Sequence, residues 1–395
     1  MKKIVVLGGS FGGLNAALEL RRLLGKEPDI TLISDSDKFV FIPSLPWLAM
    51  GWRRAGDISI PLNEILFPKG IKFVNTGALS IDADKSVVNT AVNGFPYDYL
   101  IISTGPHLAF DEVPGLGPDK GFTESIFTVE QAERTNRAWL KFLENPGPIV
   151  VGSAQGVSCF GPAYEYAFEA DYELRRKKLR HKVPIIYVTS EPYIGHFGIG
   201  GLRNSKRIME DEFAKRDIKV IVNQAVEEAT SEEIRLKDGT KLPFKLSLFI
   251  PAFKGVPAVA ALGNPRGFIP VDKNYRHTKY KNIFCVGVAM AIAPPEQTPV
   301  PTGVPKTGYM TQKMAKTAAA AIAAEIKNEP LPSAEDISVL CLMDMGNTAA
   351  FMKADPVLPP RQDSILKENL MFKYAKIAFE KYYLYKMRHG LSGLP

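Results

Sequence analysis

The chain opens on an unbroken apolar run, Ile4-Val5-Val6-Leu7, that stops at glycine. A short apolar run closed by glycine predicts a parallel strand buried on both faces, here residues 3–7. Apolar positions then recur at helical spacing from Leu14 to Leu24, and a second apolar run covers 30–34. Strand, helix and strand in that order predict a βαβ unit. The alternation returns further on. Residues 97–103 read as a strand leading into Thr104-Gly105-Pro106, and 282–286 as one leading into Gly287-Val288-Ala289. Between them 148–151 predicts a strand, Gly152-Ser153-Ala154-Gln155-Gly156 its turn, 162–180 a helix and 183–189 another strand. A Pro-rich loop holding Pro305-Lys306-Thr307-Gly308 leads into a long alanine-rich helix.

Near residue 361 the pattern changes. From Ile365 to Met387, residues such as Leu370, Phe372, Tyr374, Phe379, Tyr382 and Tyr385 are interleaved with lysines. Two readings fit this stretch. One is an interfacial helical anchor, with rings at headgroup level and ammonium groups on anionic lipid. The other is a C-terminal helix docked on the body or on a second copy. No run of 18 apolar residues occurs, and the apolar 314–326 stretch is broken by Lys316 and Glu325. A spanning helix is thereby excluded, while lying on a membrane is not. The start, Met-Lys-Lys, flows directly into the first strand, so no cleavable signal peptide is expected.

The expected fold class is α/β, with two Rossmann-like dinucleotide-binding domains and a C-terminal amphipathic helical membrane-anchoring segment. Residues 1–110 and 265–330 form one discontinuous domain, 111–264 the second, and 331–395 the tail. The first turn, Gly8-Gly9-Ser10-Phe11-Gly12-Gly13, carries the chemistry of such a domain. It lets backbone N–H groups and a helix N-terminus face a pyrophosphate. Gly8 and Gly13 hold the first and third fingerprint positions, with Ser10 in the middle one. The ribose position falls on Ser34, with Asp35 next. A glycine-rich turn with no ligand is the plain alternative. The second turn is degraded, because Ala154 replaces its middle glycine and Gly156 comes one residue early. Glu191 stands where an NADH ribose acceptor would stand, yet no second nucleotide site is expected.

Composition narrows the classes. With 46% hydrophobic and 23% charged residues the chain is globular rather than disordered. The 49 Lys+Arg against 42 Asp+Glu give +7, too modest for a nucleic-acid footprint. Seven Lys/Arg against three Asp/Glu fall within 361–395, which assigns much of that excess to the tail. The run Arg175-Arg176-Lys177-Lys178-Leu179-Arg180 reads as a solvated helix C-terminus. The three cysteines, Cys159, Cys285 and Cys341, cannot frame a disulfide scaffold and include no zinc-type pair, so no metal is expected. Each is a buried hydrophobe or a reagent. Cys285, between Phe284 and Val286, suits the core. Cys159 heads a helix, whose N-terminus lowers a thiol pKa, and stands where a nicotinamide enzyme keeps its phosphate loop. Glu165 and His196 are candidate proton carriers.

Taken together these residues resemble the sulfide:quinone oxidoreductases, monotopic members of the two-dinucleotide-domain flavoproteins. The resemblance rests on Gln155-Gly156-Val157-Ser158-Cys159-Phe160-Gly161-Pro162-Ala163-Tyr164-Glu165, on Glu191-Pro192-Tyr193-Ile194-Gly195-His196, and on Pro305-Lys306-Thr307-Gly308-Tyr309. Cys341 with Asp344 and Gly346, and the closing Glu380-Lys381-Tyr382-Tyr383-Leu384-Tyr385-Lys386, complete it. The family implies FAD, held by Gly8, Ser10, Phe11, Gly12, Gly13, Ser34, Asp35, Pro43, Ser44, Thr104, Gly105, Gly287, Val288, Lys306, Thr307 and Gly308. It implies Cys159 and Cys341 as a redox pair that oxidises sulfide, Glu165 and His196 handling protons, and Lys306 beside the flavin's pyrimidine end. Leu340 and Phe379 would flank a membrane quinone. Sulfide, quinone, a membrane surface and a second copy of the chain are the implied partners.

The chain also departs from the family. Phe127 and Gln131 occupy what look like a cysteine and a histidine position of many members. The Phe41-Ile42-Pro43-Ser44 segment lacks the cysteine that tethers flavin in the related flavocytochrome c subunit. Two other readings follow from the same resemblance: a type-II NADH:quinone oxidoreductase, and an electron-carrier subunit docking on a cytochrome.

Overall fold

The first apolar run forms the centre of a parallel sheet. In the computed structural model, which describes residues 1–333 and 336–393, Lys3–Leu7 pairs with Asp29–Ser34 on one side and Tyr99–Ile102 on the other. Positions 334, 335, 394 and 395 of the expected 331–395 tail lie outside the described residues. Ile283–Cys285 and Lys72–Asn75 complete the sheet at its two edges. Leu7 lies opposite both Ile33 and Ile102, and Cys285 opposite Ile102. This register brings Gly8, Ser34, Ser103 and Val286 to one edge. From Lys3–Leu7 the chain first adds strands on one side and later returns to add them on the other, and such a switch point leaves a ligand crevice at the carboxyl ends of the strands.

The following helix, Phe11–Leu24, starts three residues before its predicted beginning. Its first turn contains Gly12 and Gly13 because no larger residue fits there. A Cβ on Gly13 would lie 1.9 Å from the Gly8 carbonyl oxygen, and one on Gly12 would lie 2.1 Å from Ser103 Oγ. The helix Gly308–Lys327 packs along it through small buried residues, among them Ala315, Ala318 and Ala319.

A second parallel sheet runs in the order Ile218–Ile221, Ile185–Thr189, Ile149–Ser153, Leu246–Ile250. Here Gly152 belongs to the strand rather than to the turn. The Val188 carbonyl and the Phe249 ring stand 2.5 and 2.6 Å from where its Cβ would be. The helix of this unit is Gly161–Arg176, ending short of residue 180. Lys178 turns left-handed at φ 59°, and a short 3-10 turn follows at Arg180–Lys182. Nor is the basic run wholly solvated, since Arg175 and Arg180 both bond the buried Asp171.

In the tail the helical reading of Ile365–Met387 holds only from residue 370 onward. Val339–Asp344, Ala349–Asp355 and Asp363–Asn369 form an antiparallel sheet, and one helix, Leu370–Arg388, closes the chain. The part of the aromatic stretch before residue 370 is therefore a strand. Asn369 ends it and caps the helix, its side chain accepting the Met371 N–H at 2.8 Å. The helix is inverted in polarity. Lys376, Glu380 and Lys386 are buried, while Met371, Tyr374 and Tyr385 are 74%, 64% and 56% exposed. Charge is turned inward because partners wait there. Glu380 accepts from Ser44 Oγ at 2.5 Å and from Arg53 Nε at 3.0 Å. Lys376 donates to Glu165 at 2.6 Å, and Lys386 lies 5.1 Å from the Tyr383 ring. Two lysines of the tail's positive excess thus serve the interior.

Removing one partner of a buried ion pair leaves the other charge uncompensated, at a cost of about 3–5 kcal/mol. Glu380→Ala is therefore expected to lower the urea midpoint by an amount that, multiplied by the unfolding slope, is of that order, with Glu380→Gln losing less. An unchanged midpoint would show that Arg53 and Ser44 do not depend on this carboxylate.

Candidate functional site

The glycine turn and its neighbours build a cradle at the carboxyl edge of the first sheet. Gly8 has φ +103° and sits 2.2 Å, by its virtual Cβ, from the Ser103 carbonyl oxygen. Gly9 faces Ser34 Oγ in the same way at 3.0 Å. Ser10 precedes the helix without a side-chain cap, so the first-turn N–H groups stay available to an anion. Thr104 Oγ1 is buried with no hydrogen-bond partner among the described residues. Asp35 is exposed beside it in sequence order after the buried Ser34. Gly287, at φ +73°, lies against Thr311 of the helix Gly308–Lys327, whose own N-cap is Thr307. Val288 and Gly105 flank this edge, and Gly308 meets the Phe11 ring. An orphaned hydroxyl and a turn too tight for any Cβ are what a bound dinucleotide requires.

The two candidate reagents come from opposite ends of the sequence to one place. Cys159 lies in the loop between Ile149–Ser153 and Gly161–Arg176, and Cys341 lies within Val339–Asp344. Both are half-buried free thiols that interact electrostatically with each other. Their environment reverses the expected lowering of the Cys159 pKa. Cys159 stands two residues outside the helix, and burial, aided by Cys341 and Glu165, pushes its thiol up to about 12. Burial and Glu165 likewise raise Cys341 to about 11, against the pull of Lys376.

Glu165 is the hub of this group. It accepts the Asp344 backbone N–H at 2.8 Å and Lys376 Nζ at 2.6 Å. Burial raises its carboxyl, while Lys376 opposes the rise. For Lys376 burial works against the charge, but Glu165, Asp344 and Glu169 together raise the ammonium above its usual value. The sequence reading did not single out Lys376. Its signal was the Lys376 and Glu380 spacing of four residues on an otherwise aromatic helix, which marks an inward charged stripe.

Other candidates take different positions. His196 is almost fully buried and faces Glu296 at 2.8 Å, while its Nδ1 accepts the Gly198 N–H at 3.2 Å. No described contact joins it to Cys159. Glu191 is buried and occupied, accepting from Tyr164 Oη at 2.8 Å, Thr189 Oγ1 at 2.9 Å and Phe197 N–H at 2.7 Å. Burial raises it to about 7 against those bonds. It is a core carboxyl, unavailable to a ribose. Cys285 is fully buried on its strand and its thiol is pushed up by burial. Lys306, 4.8 Å from the Phe268 ring, is lowered by burial to about 8. Ser44, preceded by Pro43 in a short 3-10 turn, spends its hydroxyl on Glu380. Leu340 and Phe379 are both about a third exposed, and Phe379 packs on Phe41 and Tyr383.

Comparison with known proteins decides the class. Residues 2–320 match the pyridine nucleotide-disulphide oxidoreductase family. A sulfide-quinone reductase of Aquifex aeolicus is 45% identical over 98% of this chain and 92% of its own length. The chain belongs to the sulfide:quinone oxidoreductase family. The crystal structure of the Aquifex aeolicus sulfide:quinone oxidoreductase superimposes with a TM-score of 0.96 at 44% identity, covering 100% of this chain and 93% of that one. The mitochondrial sulfide:quinone oxidoreductase of Mus musculus is 23% identical over 72% of this chain and 65% of its own. A Plasmodium falciparum NDH2 in complex with NADH shares the fold, with a TM-score of 0.75 at 16% identity over 99% of this chain and 96% of that one. As a member of the family the protein is a flavoprotein oxidoreductase, its cofactor FAD and its acceptor quinone. Among the described residues no helix is long and apolar enough to cross a membrane.

The raised thiols carry a measurable pH dependence. Thiolate is the reacting form, so alkylation of the reduced protein by iodoacetamide should climb steadily through the alkaline range. Ordinary thiols level off above about 8.5. Cys285 should stay unlabelled until the protein unfolds. A plateau for Cys159 and Cys341 at the ordinary value would contradict the burial effect.

Proposed function

We propose that the protein oxidises sulfide to sulfur or polysulfide and passes two electrons to a membrane quinone, with Cys159 and Cys341 as its redox pair. The observation that carries this reading is the meeting of both cysteines with one Glu165–Lys376 pair, across 182 residues of sequence. In the oxidised pair the two sulfurs are bridged. Hydrosulfide attacks the bridge, its sulfur joins one cysteine as a persulfide, and the other cysteine leaves as a thiolate. At Cys341 the positive charge of Lys376 opposes the burial that disfavours a thiolate. Glu165, held by Lys376 and the Asp344 N–H, is oriented to take or return the proton.

The cradle fits FAD. Gly8, Ser10, Phe11, Gly12 and Gly13 would meet its pyrophosphate, and Ser34 with Asp35 its ribose. Thr104, Gly105, Gly287, Val288, Thr307 and Gly308 would line the rest, with Lys306 supplying positive charge. Bound there, FAD supplies two-electron chemistry that side chains lack, accepting a pair from sulfur and yielding it to quinone. Leu340 and Phe379 offer a partly exposed apolar pair for the quinone ring. His196 is better suited to positioning than to proton transfer, since both ring nitrogens already have partners.

The outward face of Leu370–Arg388, with Met371, Tyr374, Tyr382 and Tyr385, supports a peripheral seat on a membrane. Sulfide, quinone, that surface and a second copy of the chain are the partners of this reading. A type-II NADH:quinone reaction is disfavoured by the occupied Glu191.

Stopped-flow mixing tests the chemistry. Sulfide should bleach the flavin and NADH should not. Cys159→Ala and Cys341→Ala should each abolish the sulfide response with FAD still bound, and Cys285→Ala should leave it intact. Wild-type turnover in Cys341→Ala would remove the redox pair. The membrane seat has its own test, because Lys376 and Glu380 make the tail part of the interior and deleting it would unfold the site. Met371→Glu with Tyr374→Glu should instead abolish vesicle flotation while reduction of a water-soluble quinone continues. Undiminished flotation would refute the seat.

A further inference from the structure

A buried carboxyl close to the cysteine pair has no use in the mechanism above. Glu169 lies one helical turn beyond Glu165, is 0% exposed, and has no hydrogen-bond partner for either oxygen among the described residues. A carboxyl hidden from water without a partner is costly, and a core position could hold a methionine instead. The groups that interact with it come from three elements. Glu165 and Tyr166 share its helix, Asp344 ends the Cys341 strand, and Lys373 and Lys376 project from the tail helix. Glu124 faces Tyr166 from the far side.

Asp344 belongs to this cluster and, although 0% exposed, also borders a cleft. One oxygen accepts the Gly346 N–H at 2.6 Å and the other is buried, while the residue lines a cleft of about 240 Å³ with Trp47, Trp52, Tyr172, Glu173 and Lys373. Behind that cleft Asp344, Glu169 and Glu165 each interact with Lys376, which in turn interacts with Cys341.

Stoichiometry gives this chain a task. Hydrosulfide yields one proton and two electrons on becoming zero-valent sulfur, and quinone takes two protons and two electrons on becoming quinol. One proton per turnover must therefore enter from water. We propose that Glu169 and Asp344 are proton-conducting residues that carry it from the cleft to the Lys376–Glu165 pair, Glu169 holding the proton between turnovers. This rests on the sulfide-to-quinone reading. In each turnover Glu169 gives its proton inward and regains one through Asp344, so its carboxyl ends as it began. The pKa of Glu169 is raised well above the ordinary value by burial and by Asp344 and Glu165, which keeps it protonated and ready.

The test uses the FAD-loaded protein and Glu169→Met, a substitution that removes the proton but suits an apolar, partnerless site. If Glu169 were only structural, Met would leave both half-reactions unchanged. As a proton carrier, Glu169→Met should keep wild-type sulfide bleaching, while flavin reoxidation by a short-chain quinone slows by at least about tenfold and its solvent isotope effect grows. The infrared spectrum of the resting protein should show a protonated carboxylic acid band in the wild type that is missing in Glu169→Gln. Reoxidation at the wild-type rate in Glu169→Met, or persistence of the band in Glu169→Gln, would overturn the route. Failure of sulfide to bleach the wild type would instead sink the reading beneath it.

Discussion

The ion pair of Lys376 with Glu165 is the constraint on which the rest of the structure turns. An ammonium and a carboxylate are both costly to bury, so each is tolerable only with the other at hydrogen-bond distance. Glu165 comes from the helix after the second sheet, Lys376 from the last helix, and the Asp344 N–H from the strand that carries Cys341. One carboxylate thus joins three segments that are remote in sequence. Cys341 comes to Cys159 because its strand is bound to the residue six positions after Cys159.

The same pair explains why the last helix is inverted. With Lys376 satisfied by Glu165 and Glu380 satisfied by Arg53 and Ser44, the charged stripe is the one that gains by facing the protein. Met371, Tyr374, Tyr382 and Tyr385 are left outside, while Tyr383, Leu384 and Met387 share the inner face. An apolar face rimmed by lysine and tyrosine is stable in water only at some cost, and a lipid surface relieves it. One helix thus carries Lys376, which acts on Cys341, on its inner face and exposed apolar residues on its outer face. Glu191, by contrast, is held entirely by its own unit, by Tyr164, Thr189 and the Phe197 N–H.

Much of this was legible in the chain. The βαβ runs, the glycine turn and the strands ending at Thr104-Gly105 and Gly287-Val288 depend on local patterns, namely apolar period and backbone freedom, and the register brings them to one edge as those patterns imply. Legibility failed where a remote partner decided. Gly152 reads as a turn glycine, yet Val188 and Phe249 make it a packing glycine in a strand. The helix head at Cys159 suggests a lowered thiol pKa, yet desolvation outweighs a dipole that acts from two residues away. His196 reads as a proton carrier until Glu296 and Gly198 are found on its nitrogens. Residues 365–369 run straight into the aromatic helix in sequence, and only pairing with Ala349–Asp355 makes them a strand.

By itself the sequence determined the layered α/β class, the dinucleotide turn and the places of the three cysteines in their elements, through spacing, steric permission and element order, which are properties of contiguous residues. The tertiary structure alone decided which charges are buried and how the two thiols are tuned. It also decided which face of the last helix looks outward. Those outcomes depend on desolvation balanced against partners scores or hundreds of residues away, and that balance has no local signature in the chain.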